Sequence, residues 1–479
     1  MARERGSVTV SHVQITLGHL SDTHIGYEAY KTLSVGGENQ RSVDFAKAFI
    51  AVCDEIIASD PMIVIHSGDV ADRTVIPIRL MILIRRQMER LASIRPDGTR
   101  RQVIIVAGNH ELPRNRREAC FLELLRGLPG VHLATTGYEK ITFEGIGTSL
   151  GCDPLLADTV VHALPHDALK TVDFDIVRPV PGKINIISSH GVAGGSELYV
   201  RSLGREFAIP TDVLARDWEY GALGHWHKQG PVPIAATGAA TRAELRKKLS
   251  GPDRAEYGAL EPDEDSDRGR IWYAGSTENC GFGDLKDNGQ RRGWLHVTVN
   301  QGDEPSVRRR NLPIRAMFRL PQLDATGMTP EQITDALVDR ARKAPISGAV
   351  VGQIVEGIGR DVWSLVDLKR VRDAASTALH YDVTLKPLIR DTENESGHVE
   401  HRGLADAAEV IAERSLELIK EPEQRERAVK LANDLLTVQL EKVDRERDQA
   451  RVSGSDASEN QLTFTEPLTG TEPLEGAAR

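Results

Sequence analysis

The sequence predicts an α/β protein with two packed sheets, a smaller α/β module after them and a helical hairpin further along the chain. Three observations carry this. Up to Leu125, short apolar runs rich in β-branched residues alternate with stretches of helical periodicity. Beyond Tyr138, strand-like runs follow one another with only turns between them. Several of these runs stop abruptly at Gly, Asp, Asn or His, and ligands of α/β sheets bind at the carboxyl ends of strands. At 479 residues the chain is too long for one ordinary core, so two or three modules are expected.

The elements follow in order. A strand over 13–20 runs into Ser21-Asp-Thr-His-Ile-Gly26, and 43–58 carries Phe45, Ala48, Phe49, Val52, Ile56 and Ile57 at helical spacing. A strand over 62–67 leads into Gly68-Asp-Val-Ala-Asp72, a helix covers 76–94, and a strand over 103–107 stops at Gly108-Asn-His-Glu111. A further helix is expected over 117–125. Strands over 138–143, 159–164, 184–189, 220–223, 271–274 and 294–299 then suggest a second sheet packed on the first. The polar insertion 238–270, with Glu261-Pro-Asp-Glu-Asp-Ser-Asp-Arg268, reads as a flexible loop, because it cannot bury enough apolar area to offset ordering. These segments make one domain over 12–311.

A smaller α/β module is expected over 312–390, with a helix over 330–343 opened by Thr329-Pro330, a strand over 348–355 and a helix over 368–377. Two amphipathic helices over 401–448 place Leu404, Ala408, Ile411, Ser415 and Leu418 on one stripe, and Ala428, Leu431, Leu435 and Val438 on another, a helical hairpin. Residues 451–479, rich in Gly, Ser, Glu and Thr, read as a disordered tail.

The net charge of -10 argues against a body coated in basic charge but leaves room for local basic patches. Cys53, Cys120, Cys152 and Cys280 stand far apart without a C-x-x-C pair, against a disulfide framework or a cysteine-based zinc site. A reducing cytoplasm fits. The start of the chain lacks the apolar core of a signal peptide and no window is apolar enough for a membrane span, so a soluble cytoplasmic protein is expected.

The chemistry lies in five blocks at strand ends: Asp22-x-His24, Gly68-Asp69, Gly108-Asn109-His110-Glu111, Ser189-His190-Gly191 and Gly224-His225-Trp226-His227. None is specific alone; together they are not accidental. Of seven candidate ligands, Asp22, His24, Asp69, Asn109, His190, His225 and His227, all but one are carboxylate or imidazole, a set suited to Mn²⁺, Fe or Zn²⁺. Seven are too many for one ion and suit two ions about 3.5–4 Å apart with a bridging carboxylate. The two-residue spacing in D-x-H and H-x-H would point both side chains to one face of an extended segment. The glycines before Asp69, Asn109 and His225 would permit sharp turns.

These blocks resemble the calcineurin-like metallophosphoesterases, and the finer pattern resembles their Mre11/SbcD-type DNA repair nucleases. Leu20-Ser-Asp-Thr-His-Ile-Gly26, Tyr273-Ala-Gly-Ser276 with its glycine-rich turn, and Gly348-Ala-Val-Val351 with Glu356-Gly357 extend the likeness, which covers about 20–388. The resemblance implies a four-layer αββα metallophosphoesterase sandwich with a capping domain. It also implies two divalent ions, Mn²⁺ by preference: Asp22, His24 and His227 on one, Asn109, His190 and His225 on the other, Asp69 bridging. His110 would be the catalytic imidazole that protonates the leaving oxygen. Two positions depart from the pattern. Asp72 stands where some family nucleases have a second functional His, and is assigned to orienting a ligand imidazole. Glu111 stands where Asp is common, a carboxylate supporting the ligand set.

For substrate, Arg114, Arg116 and Arg117 beyond the third block, and Arg308, Arg309 and Arg310 before the smaller module, are candidates to clamp a phosphate backbone. The resemblance implies a nuclease acting at DNA ends, an ABC-type ATPase of the Rad50 or SbcC kind bound through the C-terminal helices, and a homodimer. Two alternatives stay open: a metallophosphatase or cyclic-nucleotide phosphodiesterase with an unrelated cap, and a scaffold with a vestigial site.

Overall fold

Runs of Ile and Val with both faces apolar can be buried only between layers, and the chain forms two six-stranded sheets that do this. The computed structural model describes residues 13–112, 120–143, 151–194, 207–232, 269–285 and 292–386. The hairpin, the tail, nearly all of the insertion and Arg114, Arg116 and Arg117 lie outside them.

In the first sheet, β1 (Gln14–Leu20), β2 (Ile63–His66), β3 (Gln102–Val106) and β4 (Val131–Ala134) run parallel. From β1, β13 (Gly293–Asn300) and β14 (Ser306–Asn311) extend it antiparallel. The crossovers are α1 (Gln40–Ser59) and α2 (Ile78–Leu91). α1 begins three residues earlier than its apolar periodicity because Asn39 caps it, accepting from the amides of Arg41 and Ser42. In the second sheet β5 (Glu139–Thr142), β6 (Thr159–Leu164), β7 (Ile184–His190), β10 (Tyr220–Gly224), β12 (Ile271–Tyr273) and β11 (Gly230–Pro231) lie side by side, with β6, β7, β10 and β12 parallel. A small pair, β8 (Val192–Ala193) and β9 (Ala208–Ile209), follows β7.

Strand alternation sorts the core into layers. On β3, Ile104 and Val106 pack between the sheets with Ile186, Ala222 and Trp272, while Val103 and Ile105 face α1 and α2. Two sheets with helices outside the first agree with the expected sandwich. The outer face of the second sheet differs from expectation: among the described residues its Leu223, Ile271 and Tyr273 are covered by Trp218, Trp226 and short helical turns over His166–Lys170 and Thr211–Leu214. Pro165, Pro179 and Pro181 punctuate the β6–β7 connection and keep it from forming a long helix.

Other boundaries also shift. The 117–125 helix is, within the described residues, only a 3₁₀ turn over Phe121–Leu125. Four-residue β4 was not visible in the periodicity. The Arg308–Arg310 cluster belongs to β14, so its side chains alternate. Arg309 stacks over the buried Trp272 ring at 5.6 Å, in the layer between the sheets, and Arg308 and Arg310 face the other way. The three do not form a single basic face.

The smaller module is a parallel sheet centred on β17 (Val350–Glu356), flanked by β15 (Met317–Arg319), β16 (Leu323–Asp324) and β18 (His380–Leu385). α3 (Pro330–Lys343) has the expected bounds, fixed by a capping box between Thr329 and Gln332 with Pro330 in the first turn. With α4 (Leu368–Ala374) it buries Ile333, Leu337 and Val371 against Val355.

A buried ionic cluster joins this module to α1. Asp44 accepts from Arg41 Nη1 at 2.8 Å and Arg315 Nη2 at 2.6 Å, while Arg315 Nη1 donates to the Gly348 carbonyl at 2.6 Å. Burial would raise the Asp44 carboxyl, but the hydrogen bonds from Arg315 and Gln40 hold it below the usual carboxylate range. A depressed folded-state pKa contributes stability that is present above the unfolded value and lost as pH falls through the folded one. Asp44→Asn, which takes the carboxylate from Arg315 and leaves buried Arg41 with only Glu278, at 3.2 Å, as charge partner, should therefore cost about 1.5–3 kcal/mol at neutral pH. The gap from wild type should close below about pH 4, as read by thermal unfolding across pH. A gap that stays constant into acid would remove the pair from the account.

Candidate metal centre

Parallel strands place their carboxyl ends along one edge, and here five of them deliver side chains to one point. Asp22 and His24 follow β1, Asp69 and Asp72 follow β2, Asn109, His110 and Glu111 follow β3, His190 ends β7, and His225 and His227 follow β10. Four of these residues have left-handed backbones: Asp22 (φ 50°), His24 (φ 39°), Asp69 (φ 54°) and His225 (φ 96°). Such conformations are costly for non-glycine residues and concentrate at functional sites. They also correct the spacing argument. Asp22 and His24 converge because the chain turns through left-handed residues, not because the segment is extended.

Of the three glycines, only Gly68 has positive φ, 95°. At Gly108 the reason is space: a Cβ there would lie 2.1 Å from Asp69 Oδ1.

The side chains fall into two groups sharing Asp69. In the first, His24 Nε2 lies 3.1 Å from His227 Nε2, 4.0 Å from Asp22 Oδ1 and 3.8 Å from Asp69 Oδ2. In the second, Asn109 Oδ1 is 3.0 Å from His190 Nε2 and 3.1 Å from His225 Nδ1, and His190 Nε2 is 3.3 Å from Asp69 Oδ2. Asp22, His24, Asp69 and His190 are buried, His190 and Asp22 completely, and Asn109, His225 and His227 are half-buried. Facing ring nitrogens at such distances repel unless a proton or cation lies between them, so the donor set fits divalent ions.

The electrostatics divide the imidazoles, His24 and His225 losing the proton and His190 and His227 holding it more tightly beside acidic neighbours. Burial pushes His225 down to about 3 and His24 well below the imidazole range, toward the neutral form that can ligate. Burial opposes the charge on His190, but Asp69 beside it raises the ring to about 9, and the same contact, with His24 and His110, holds the Asp69 carboxyl well below its usual range against its burial.

His110 adjoins the first group, its donor atom lying within 4.8 Å of those of His24 and Asp69. Its Nδ1 donates to the Asp72 carbonyl at 2.5 Å, its amide donates to Asp69 Oδ1 at 3.0 Å, and its Nε2 lies 3.8 Å from Asp69 Oδ2. The ring is 37% exposed, open to a substrate. The Asp72 carboxylate stands 3.7 Å from His24 Nδ1 and 3.9 Å from His110 Nδ1, so its firm hydrogen bond to an imidazole is made by its backbone, not its carboxyl. Glu111 is fully buried and touches no imidazole: Oε2 accepts from the amides of Gly108 at 2.7 Å and Asp69 at 3.1 Å, and Oε1 from Ala71 at 2.8 Å. It binds the second block to the third.

Residues 15–228 match the calcineurin-like phosphoesterase family. That segment is a calcineurin-like phosphoesterase domain. Two relatives are similar within it. The DNA double-strand break repair protein Mre11 of Methanococcus maripaludis is 30% identical over 122 residues, 26% of this chain and 30% of that protein. Mre11 of Methanocaldococcus jannaschii is 30% identical over 108 residues, 22% of this chain and 26% of that protein. The match thus spans less than a third of either relative's length. Within residues 15–228 the chain is thus similar to metallophosphoesterases of Mre11 type.

The phosphoesterase site also draws on residues beyond the matched segment that the motifs did not single out. Asp284 Oδ1 lies 3.3 Å from His227 Nδ1, the carboxylate–histidine pairing that orients ligand imidazoles. Cys280 lies beside His24 and His227. Within the match, His166 packs its ring against His190 and His225 and meets the His190 carbonyl at 3.1 Å. Asp284 and Cys280 lie in the glycine-rich turn after Tyr273-Ala-Gly-Ser276, which the resemblance included without naming them; His166 carried no signal.

Proposed function

We propose that the protein is a metal-dependent nuclease that hydrolyses DNA phosphodiesters, with Mn²⁺ as the preferred ion. The observation that carries this is the convergence on Asp69 Oδ2 of two donor groups, one with Asp22, His24 and His227 and one with Asn109, His190 and His225. These residues would hold two divalent ions, which when bound supply positive charge to the attacking and leaving oxygens of a phosphoryl group. The Asp72 carbonyl fixes the His110 Nδ1 proton, so His110 as imidazolium presents its second proton at Nε2, and this is the proton given to the leaving oxygen. DNA as substrate is supported by the likeness to Mre11 and by the α/β module over 317–385, whose Phe282–Arg319 contact, at 4.5 Å, ties it to the turn carrying Asp284. We read this module as a cap.

Purified protein stripped with chelator and reloaded with Mn²⁺ should cut linear duplex DNA. Cleavage confined to a small chromogenic ester would favour a phosphatase or cyclic-nucleotide phosphodiesterase instead. His110→Ala should lower the cleavage rate by roughly 10²–10⁴-fold while metal content stays at the wild-type level; wild-type cleavage by that variant would leave His110 without a chemical role.

Partner binding follows the same reading. Residues 401–448 would engage an ABC-type ATPase, and a chain lacking them should keep its metals but fail to co-purify with that ATPase. Self-association is proposed through α2, where Ile78 is 74% and Ile82 is 44% exposed, and is read by sedimentation.

A further inference from the structure

Cys280 sits on the turn that follows β12, and its backbone is held at both ends: the amide donates to Asp284 Oδ2 at 2.7 Å and the carbonyl accepts from the Tyr27 hydroxyl. This turn brings Sγ into a cluster with His24 and His227 in which all three donor atoms lie within 4.8 Å of one another. A second observation marks the cluster. His24 is 2% exposed, and its Nε2 faces His227 Nε2 at 3.1 Å, a contact of two ring nitrogens that needs a proton or a cation between them.

We propose that Cys280 is a thiolate ligand at the Asp22–His24–His227 position, so that this position, filled by Mn²⁺ in the reading above, binds a borderline-soft divalent cation such as Zn²⁺ or Co²⁺ more tightly. The proposal rests on the metal-centre reading above. Zn–N bonds of about 2.0–2.1 Å and Zn–S bonds of about 2.3 Å put tetrahedral donors roughly 3.5 Å apart. The two imidazoles already stand 3.1 Å apart, and the sulfur lies within 4.8 Å of both donor atoms. Binding releases the thiol proton to solvent; no electrons are transferred. The consequence is asymmetry. The Asn109–His190–His225 position offers amide, imidazole and carboxylate only, so it keeps a preference for harder ions such as Mn²⁺, and the two positions would take different metals from a mixture.

Titrating the full-length protein with Co²⁺ under reducing conditions tests this without an activity assay. Wild type should show the visible d–d bands of bound cobalt together with a near-ultraviolet thiolate-to-cobalt charge-transfer band. Cys280→Ser should keep the d–d bands, lose the charge-transfer band, and bind Co²⁺ or Cd²⁺ at one of the two positions about tenfold or more weakly, the change expected when a metal's contacts are altered. Cys152→Ser should match wild type. Charge transfer absent from cobalt-loaded wild type, or persisting in Cys280→Ser, would overturn the thiolate and leave the centre standing; a thiol that only hydrogen-bonds to His227 gives this result. No d–d bands in wild type would overturn the centre and the thiolate together.

Discussion

Asp69→Asn should lose both ions and all measurable cleavage. Asp69 Oδ2 lies 3.8 Å from His24 Nε2 on one side and 3.3 Å from His190 Nε2 on the other, while Oδ1 holds the His110 amide. Removing its charge leaves each donor group without the shared anion. The affinity at both positions should fall by more than the roughly 10–100-fold that follows loss of an outer partner. Asparagine is the right replacement, because Asp69 sits at φ 54° and Asn tolerates the left-handed region where Ala would add strain. Metal content by mass spectrometry and binding by calorimetry read the result. Two ions retained at wild-type affinity would contradict the bridging role, whatever happened to cleavage.

The second large effect is on stability. Glu111 accepts three buried backbone N–H groups, those of Asp69, Ala71 and Gly108. Glu111→Ala strands all three, at about 1–3 kcal/mol each, so a loss of at least about 3 kcal/mol is expected. Glu111→Gln can still accept from Asp69 and Gly108 with its one oxygen, and should lose only the Ala71 contact, roughly 1–3 kcal/mol. The grading between the two variants is the informative part. Because these amides belong to the loops that carry Asp69 and Asn109, metal affinity should fall in parallel with the midpoint of unfolding. An alanine variant as stable as wild type would mean that water replaces the carboxylate without cost.

The motifs in the chain point to the residues that converge at the site and say little about what supports them. Asp22, His24, Asp69, Asn109, His190, His225 and His227 announce themselves because each ends an apolar strand and few other roles need carboxylates and imidazoles there. Glu111 was visible as a carboxylate, but its partners are backbone amides 40 and 42 residues away in sequence as well as its neighbour Gly108, and no local pattern encodes them. The arginines at 308–310 show the opposite error: a run of charge in sequence is divided by strand alternation, which sends Arg309 inward over Trp272.

What the sequence alone determined was element type and the chemistry of the ends, since periodicity, caps such as Thr329-Pro330 and strand-terminal donors are all local. The tertiary structure decided what converges. Left-handed turns at Asp22 and His24, rather than an extended D-x-H, aim the first two side chains of the site. A turn from outside the matched segment supplies Asp284 and Cys280, more than 50 residues after His227, to the same point. Such partners are set by how two sheets stack and by which loops their edges bring together, and that long-range arrangement is what a residue pattern cannot carry.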